Sequence, residues 1–141
     1  MDIRLLDKEE LPQIYPLVQL LNPTITKEQF LLYLEEMVGQ GYLCVAAFEG
    51  KTIIAISGLW MQTRFYAGKF IEPDNVVVAP AYRNKQIGQK LMQWIIAFGK
   101  ANGCVASELN CYVSNSRGQK FWIDQGYSIL GFHFQQKFLQ P

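Results

Sequence analysis

Apolar residues recur at the three- and four-residue spacing of an amphipathic helix in four parts of the chain. The predicted helices cover Asp7 to about Leu21, Thr26 to Gly39 or Gly41, Ile87–Asn102 and Asn115–Gln125. Pro16 lies inside the first and is expected to kink or split it, because proline lacks the N–H of an interior helical residue. The second begins with Thr26-Lys27-Glu28-Gln29, a capping-box pattern.

The other apolar segments have the length and the β-branched or aromatic content of strands. They are Asp2–Leu6, Tyr42–Phe48, Lys51–Arg64, Phe70–Ala79, Val105–Val113 and Tyr127–Phe138. Glu49-Gly50 predicts a hairpin between the second and third of them. The order β-α-α-β-β-β-α-β-α-β predicts an α/β (α+β) fold with a mixed central sheet flanked by helices. Because no repeat or linker interrupts the chain, we expect residues 1–141 to form a single domain.

The composition argues against several classes of partner but does not identify a function. The net charge of +1 in 141 residues favours neither nucleic acid nor a membrane surface as partner. Cys44, Cys104 and Cys111 lack C-x-x-C spacing and lie in apolar stretches, which predicts buried free thiols and no metal site. No signal peptide or bilayer-length apolar stretch is visible, so we expect a cytoplasmic protein, monomeric or homodimeric.

The junction between Val76 and Leu91 carries the clearest chemistry. A valine-rich strand ends at Ala79-Pro80, a polar turn with two basic residues follows, and a helix begins near Ile87. Such a junction directs backbone N–H groups and the positive end of a helix dipole at one point, which suits an anion. The chain lacks G-x-x-x-x-G-K-[ST], which excludes a nucleotide P-loop. No G-x-G-x-x-G follows a strand, which argues against a dinucleotide fold.

These residues resemble the signature of the GNAT N-acetyltransferases. That signature is V-x-P-x-[YF] followed by [QR]-x-x-G-x-[GA] at a helix start, and it corresponds here to the segment from Val78 to Gly88. A second family pattern, N-x-x-x-x-x-F-[YW] followed by G-[YF], corresponds to Asn115, Phe121-Trp122 and Gly126-Tyr127. The element order also agrees with this family, so the resemblance extends over essentially the whole chain.

The resemblance implies a fold, an activity and a co-substrate. The chain would be an acetyl-CoA-dependent N-acetyltransferase in which a substrate amine attacks the thioester directly. Backbone groups of Val76, Val77 and Val78 would bind the pantetheine arm, and Asn115 would contact it or serve only as a helix cap. The aromatic pair Phe121 and Trp122 would line the thioester channel. The pyrophosphate would lie against the turn formed by Arg83, Asn84, Lys85, Gln86, Ile87, Gly88 and Gln89.

Two positions depart from the family pattern. Gln86 stands where the motif usually has its first glycine, so its Cβ is expected to alter the pyrophosphate geometry or affinity. Trp122 stands where many relatives have a tyrosine that protonates the leaving thiolate. Because an indole N–H is a donor but not a useful acid, another tyrosine, water or the proton of the amine must serve. Tyr112 and Tyr127 are nearby in sequence.

Family members often place a catalytic carboxylate on the strand before the phosphate turn. Asp74 best matches that position and Glu72 is the second candidate; both equally fit solvated surface carboxylates. The two are two residues apart and therefore lie on the same side of a regular strand, although Pro73 suggests an edge or a bulge. Glu108 is a third candidate. His133 and Cys111 have catalytic interpretations as well, but a structural histidine and a buried thiol explain them better.

The acceptor is expected to be a small-molecule amine. The C-terminal pattern is similar to small-molecule N-acetyltransferases, including the aminoalkylphosphonate acetyltransferases. Residues 20–30 and 62–69 would shape the acceptor site. Arg64, Tyr66 and Lys69 in the second segment would favour an anionic group on the acceptor, although a solvated loop explains them equally well. The alternatives are a protein N-acetyltransferase of the same fold and a non-catalytic acyl-CoA-binding module, which Trp122 and Gln86 favour.

Overall fold

The computed structural model describes residues 1–139, which form two compact units. The first unit, Met1–Leu109, contains most of the regular structure. Its strands are β1 (Asp2–Leu5), β2 (Leu43–Glu49), β3 (Thr52–Arg64), β4 (Gly68–Val78) and β5 (Ala106–Ser107). Its α-helices are α1 (Tyr15–Leu21), α2 (Lys27–Gly39) and α3 (Ile87–Ala101), and two 3-10 helices span Lys8–Ile14 and Pro80–Tyr82.

The five strands form one mixed sheet in the order β1-β2-β3-β4-β5. The first three pairings are antiparallel, and only β4 and β5 are parallel. The predicted mixed α/β class is confirmed, as is the hairpin between β2 and β3. Among residues 1–139, no helix is long and apolar enough to cross a membrane.

Helices pack on both faces of this sheet. On one face, a buried cluster joins the segment before α2 to α2 itself and to the sheet. It contains Leu11, Ile14, Leu17, Val18, Phe30 and Leu34 together with Tyr42, Cys44, Ala46, Phe48, Ile56 and Val77. On the other face, α3 packs closely on β4: a Cβ at Gly99 would lie 2.8 Å from Cγ2 of Ile71.

Two helix predictions are confirmed in detail. The first helical segment is split, with a 3-10 helix ending at Ile14 and α1 beginning immediately before Pro16. The proline thus falls in the first turn of α1, where no N–H is required. At the start of α2, Thr26 Oγ1 accepts from Gln29 N at 3.1 Å, and Gln29 Oε1 accepts from Thr26 N at 3.2 Å.

Glu10 connects β1 to the 3-10 helix that follows it through hydrogen bonds. Its carboxylate accepts two bonds from the Arg4 guanidinium, at 2.9 and 2.8 Å, and one from Asp7 N at 2.8 Å. These bonds, the Arg4 pair first, lower the pKa of Glu10 to about 2. A lowered folded-state pKa stabilises the protein above the unfolded pKa of about 4.3, and this stabilisation is lost as the pH falls through the folded pKa.

Glu10→Gln should therefore lower the free energy of unfolding at pH 7, and this deficit should shrink between about pH 4.5 and pH 2. Urea unfolding at pH 7, 5 and 3 measures the difference. Glu9→Gln, at an exposed neighbour, controls for the loss of one negative charge. A deficit that stays constant over this range would show that the Arg4 pair does not couple Glu10 to folding.

The second unit begins at Asn110 and contains one helix, α4 (Ser116–Asp124). The predicted final strand, Tyr127–Phe138, is wrong for this structure: that segment has no regular secondary structure, and the apolar residues 129, 130, 132, 134 and 138 are more than three-quarters exposed. The predicted strand Val105–Val113 is reduced to Ala106–Ser107. Alternating apolar residues favour an extended backbone, but a strand forms only where a partner supplies its hydrogen bonds.

Candidate acetyltransferase site

Within Met1–Leu109, strand β4 has an open edge that begins at Pro73. The parallel ladder with β5 pairs only Phe70 and Ile71 of β4, and it ends with a bond from Glu108 N to Ile71 O at 3.1 Å. In a parallel ladder the next donor from β4 would be residue 73, and proline has no N–H to donate. Within Met1–Leu109 the β5 ladder therefore stops, and β4 continues to Val78 along an edge whose backbone groups suit an extended ligand.

A bulge bends β4 immediately before Val76–Val78. The register with β3 passes from Gly58–Asp74 to Ile56–Val77, so that two residues of β4 stand opposite Ser57. Asn75 adopts a left-handed φ of 49°, and its Oδ1 lies 3.5 Å from Nδ2 of Asn22 at the end of α1. The irregularity suggested by Pro73 is thus present, two residues further along, and it turns the end of the strand relative to its start.

The predicted anion-binding turn has the expected strand-turn-helix form. A 3-10 turn at Pro80–Tyr82 leads from β4 to α3, and residues 83–86 are exposed. Arg83 Nε donates to Val78 O at 3.2 Å, and Lys85 Nζ lies 5.4 Å from the centre of the Tyr82 ring. Both basic side chains therefore stay beside the N-terminus of α3, where their charge adds to that of the helix dipole.

Two residues of this turn have left-handed backbones. Asn84 has φ 63° and Gln86, the N-cap of α3, has φ 61°. Asparagine tolerates this region, whereas for glutamine it costs on the order of 1 kcal/mol. The glycine that the family pattern usually has at this position therefore has a conformational reason as well as a steric one.

Gln86→Gly should leave the free energy of unfolding unchanged or raise it by up to about 1 kcal/mol, because the left-handed strain is relieved while the unfolded chain gains freedom. Urea unfolding measures the change. Gln93→Gly, at an exposed interior position of α3, is the matched control and should lose about 1 kcal/mol. Equal losses in both variants would show that the turn does not strain Gln86.

Asp74 lies in a cluster with two aromatic side chains. Its Oδ2 accepts a bond from Nε1 of Trp60 at 3.1 Å, and the ring of Trp60 lies 5.4 Å from that of Tyr42. Tyr42 is buried, and burial, followed by the nearby Cys44 and Asp74, raises the pKa of its hydroxyl. Burial also raises the pKa of the Cys44 thiol, to about 12. Both groups are therefore neutral near pH 7.

Glu72 and Glu108 are the other two carboxylate candidates. Glu72 is half-buried and stands opposite Trp60 in the β3–β4 register, on the same side of the strand as Asp74, as predicted. Glu108 accepts a bond of 2.6 Å from the hydroxyl of Tyr66 at the tip of the β3–β4 hairpin. This bond raises the pKa of the Tyr66 phenol. Glu108 thus holds the hairpin tip.

The remaining predicted site residues belong to the second unit. Asn115 caps α4, accepting from Gly118 N at 2.9 Å, so the cap is present whatever else this side chain contacts. Phe121 and Trp122 meet edge to face at 4.8 Å, and Trp122 meets Tyr127 in the same way at 5.5 Å. Of the three cysteines, Cys44 and Cys104 are buried as predicted, whereas Cys111 is only half-buried; all three are free thiols. Tyr112 and His133 are exposed.

A family model described as "Acetyltransferase (GNAT) family" matches residues 9–127, which is most of the chain. The chain belongs to this family. The predicted enzyme class, an acetyl-CoA-dependent N-acetyltransferase, is confirmed by this membership. The family match spans both compact units, from the 3-10 helix before α1 to Tyr127.

Several relatives of this GNAT chain have named activities. Glucosamine 6-phosphate N-acetyltransferase 1 of Dictyostelium discoideum is 30% identical over 105 residues, which cover 70% of this chain and 67% of that protein. Aminoalkylphosphonate N-acetyltransferase of Salmonella typhimurium is 25% identical over 62% of this chain and 58% of that protein. The chain thus matches about two thirds or less of each relative's length. The structure of AAC(6')-Iy with the bisubstrate analogue CoA-S-monomethyl-acetylneamine has a TM-score of 0.83 at 18% identity, covering 96% of this chain and 97% of that one.

Sequence reasoning missed three members of the Asp74 cluster in this GNAT domain: Trp60, Tyr42 and Gly58. An isolated glycine within a strand pattern indicates a close approach of another group, so Gly58 was a usable signal. A Cβ there would lie 2.6 Å from Cε1 of Tyr42. The pairing of Trp60 with Asp74 had no local signal, because it depends on the β3–β4 register.

Proposed function

We propose that this protein transfers the acetyl group of acetyl-CoA to a primary amine of a small molecule, by direct attack in a ternary complex. The observation that carries the proposal is the open edge of β4 leading directly into the turn and the N-terminus of α3. The nitrogen of the amine forms a bond to the thioester carbonyl carbon, the carbon–sulfur bond breaks, and CoA leaves as the thiol after taking up a proton.

The chain offers separate groups to the two parts of the co-substrate. Backbone groups at Val76–Val78 would hydrogen-bond the pantetheine arm along the edge that β5 leaves open. N–H groups at the start of α3, with Arg83 and Lys85, would hold the pyrophosphate. The helix dipole contributes about 0.3–1 kcal/mol to anion binding, and each N–H bonded to a charged oxygen contributes about 1.5–3 kcal/mol. Asn115, Phe121 and Trp122 are the cofactor-binding residues that we propose in the second unit.

The amine must lose a proton to react. An alkyl ammonium with a pKa near 10.4 is only about 0.04% neutral at pH 7, which corresponds to a cost of about 4.6 kcal/mol. We assign the acceptance of that proton to Asp74, with Glu72 as the second candidate. Trp122 has no acidic proton to give to the departing thiolate, so that proton comes from the amine itself, from water or from a tyrosine.

The acceptor is proposed to be a small amine that carries an anionic group. The D. discoideum and S. typhimurium relatives are named for a phosphorylated amino sugar and for aminoalkylphosphonates. Arg64 and Lys69, on either side of the turn of the β3–β4 hairpin, supply positive charge on the side proposed for the acceptor. Lys69 Nζ contacts Asn102 O at 2.6 Å, and Arg64 Nη2 contacts Gln62 Oε1 at 3.0 Å. We also propose that the protein is cytoplasmic.

Calorimetry with acetyl-CoA tests the co-substrate, and the absence of binding at millimolar concentration would reject the proposal. Thiol release from acetyl-CoA then tests the acceptor, with glucosamine 6-phosphate, an aminoalkylphosphonate, neamine and a lysine-containing peptide as probes. We expect the first two to raise release well above hydrolysis. A response to the peptide alone would favour the protein N-acetyltransferase.

A non-catalytic acyl-CoA-binding module is the second candidate function. The strained Gln86 backbone and the indole at Trp122 favour it. Tight acetyl-CoA binding without acceptor-dependent thiol release for any amine would support this function over catalysis.

A further inference from the structure

Asp74 lies in one row of side chains that crosses the sheet. Cys44 on β2 pairs with Gly58 on β3, and Gly58 pairs with Asp74 on β4, so all three point to the same face. Gly58, the middle residue of the three, has no side chain. The phenol of Tyr42 fills its place, since a Cβ on Gly58 would lie 2.6 Å from Cε1 and 2.9 Å from the hydroxyl of Tyr42.

Trp60 lies in the adjacent row and is fixed from two directions. The β3–β4 register places its Cα opposite Glu72, and its ring packs on Tyr42 at 5.4 Å with an interplanar angle of 59°. Its only polar atom, Nε1, donates to Oδ2 of Asp74 at 3.1 Å. An indole N–H donates and never accepts, so this bond binds one carboxylate oxygen without competing for a proton.

We propose that Trp60 is the positioning residue for the Asp74 carboxylate in acetyl transfer. Its N–H holds Oδ2, so that Oδ1 is the oxygen presented to the ammonium of the acceptor. The Tyr42 ring, lying in the space that Gly58 leaves, keeps the indole in place. This proposal rests on the proposed function, because it gives Trp60 a role only through Asp74. Misplacing a reacting group by about 1 Å costs on the order of 100-fold in rate.

The test compares Trp60→Phe, Asp74→Asn and the double variant, using the acceptor of highest kcat/KM among the probes above. Trp60→Phe keeps an aromatic ring beside Tyr42 and removes the donor together with part of the ring volume. It should lower kcat about 10-fold and leave the KM for acetyl-CoA unchanged. In the Asp74→Asn background the same change should alter kcat by less than about 2-fold, because the two residues act as one unit.

Trp94→Phe is the matched control. Trp94 is also half-buried, but it stacks on Phe98 of α3 at 5.0 Å, and its replacement should leave kcat unchanged. Equal losses for Trp60→Phe and Trp94→Phe would overturn the proposal, because they would reflect packing. A full 10-fold loss from Trp60→Phe in the Asp74→Asn background would also overturn it, because Trp60 would then act independently of Asp74.

The proton NMR signals of the three indole N–H groups give a readout that does not require activity. Trp60→Phe identifies the Trp60 signal by its loss, and Asp74→Ala should move that signal upfield while the other two stay in place. A Trp60 signal unaffected by Asp74→Ala would overturn the proposal.

If no amine is acetylated, the proposed function fails and the NMR result alone decides whether Trp60 holds Asp74. If catalysis is intact but Asp74→Asn has no effect, the positioning role is overturned.

Discussion

Asp74→Asn is expected to lower kcat with the best amine acceptor by about 100-fold or more. General-base catalysis contributes on the order of 100- to 10,000-fold, and the neutral amide has the same shape but cannot take the ammonium proton. Binding of acetyl-CoA should be unchanged, because none of the proposed pantetheine and pyrophosphate contacts involves the Asp74 side chain. Thiol-release kinetics and acetyl-CoA calorimetry on the same preparation separate the two effects.

The other two carboxylates are the matched controls for Asp74. Glu72→Gln removes a charge from the same side of β4, and Glu108→Gln removes one that is bonded to Tyr66 at the hairpin tip. We expect both to reduce kcat by less than about 10-fold, since the carboxylate to which Trp60 Nε1 donates is that of Asp74. If Glu72→Gln has the larger effect, the base is Glu72 and the assignment of Asp74 is wrong.

Gly58→Ala is expected to lower the free energy of unfolding by about 2–3 kcal/mol, with a fall in Tm of about 10 °C. The new Cβ would lie 2.6 Å from Cε1 of Tyr42 and 3.0 Å from the backbone oxygen of Asp74. Tyr42 is only 6% exposed and belongs to the main buried cluster, so displacing its ring would disturb the packing of that cluster. The backbone oxygen is held in the sheet. Urea and thermal unfolding measure the loss.

Gly39→Ala is the control for Gly58→Ala. Gly39 is the last residue of α2, and no atom lies within 4 Å of a Cβ placed there. Alanine is the better helix former, so this variant should be unchanged or stabilised by up to about 1 kcal/mol. A Gly58→Ala protein as stable as the wild type would show that the Tyr42 ring can be displaced from its position over Gly58.

The strand-turn-helix junction after β4 could be predicted from the sequence because its features are local. A buried strand, Ala79-Pro80, a basic turn and an amphipathic helix follow one another without a gap, and each is set by neighbouring residues. The capping box at Thr26 and the break at Pro16 were predictable for the same reason. The strain at Gln86 was visible only as a departure from a family pattern, and the φ of 61° supplies its physical meaning.

The catalytic side of the site was only partly readable. That Glu72 and Asp74 share a side of β4 followed from the two-residue period of a strand. Asp74 differs from Glu72 in accepting the bond from Trp60 Nε1. That bond joins residues 14 positions apart in the sequence. The proposal that Asp74, and not Glu72, is the base therefore rests on the register of β3 against β4.

The sequence by itself determined the helices, the hairpin, the strand-turn-helix junction and the GNAT family, because turns, caps and helical periodicity depend on residues close together in the chain. The tertiary structure decided which apolar segments became strands. Ala106–Ser107 pairs with β4, but the ladder ends before Pro73, which has no N–H to donate. Tyr127–Phe138 has the apolar alternation of a strand and does not form one. It also decided that Trp60, and not a neighbour in sequence, bonds Asp74. A helix satisfies its own backbone, but a strand and a site built across strands depend on partners that the local sequence does not name.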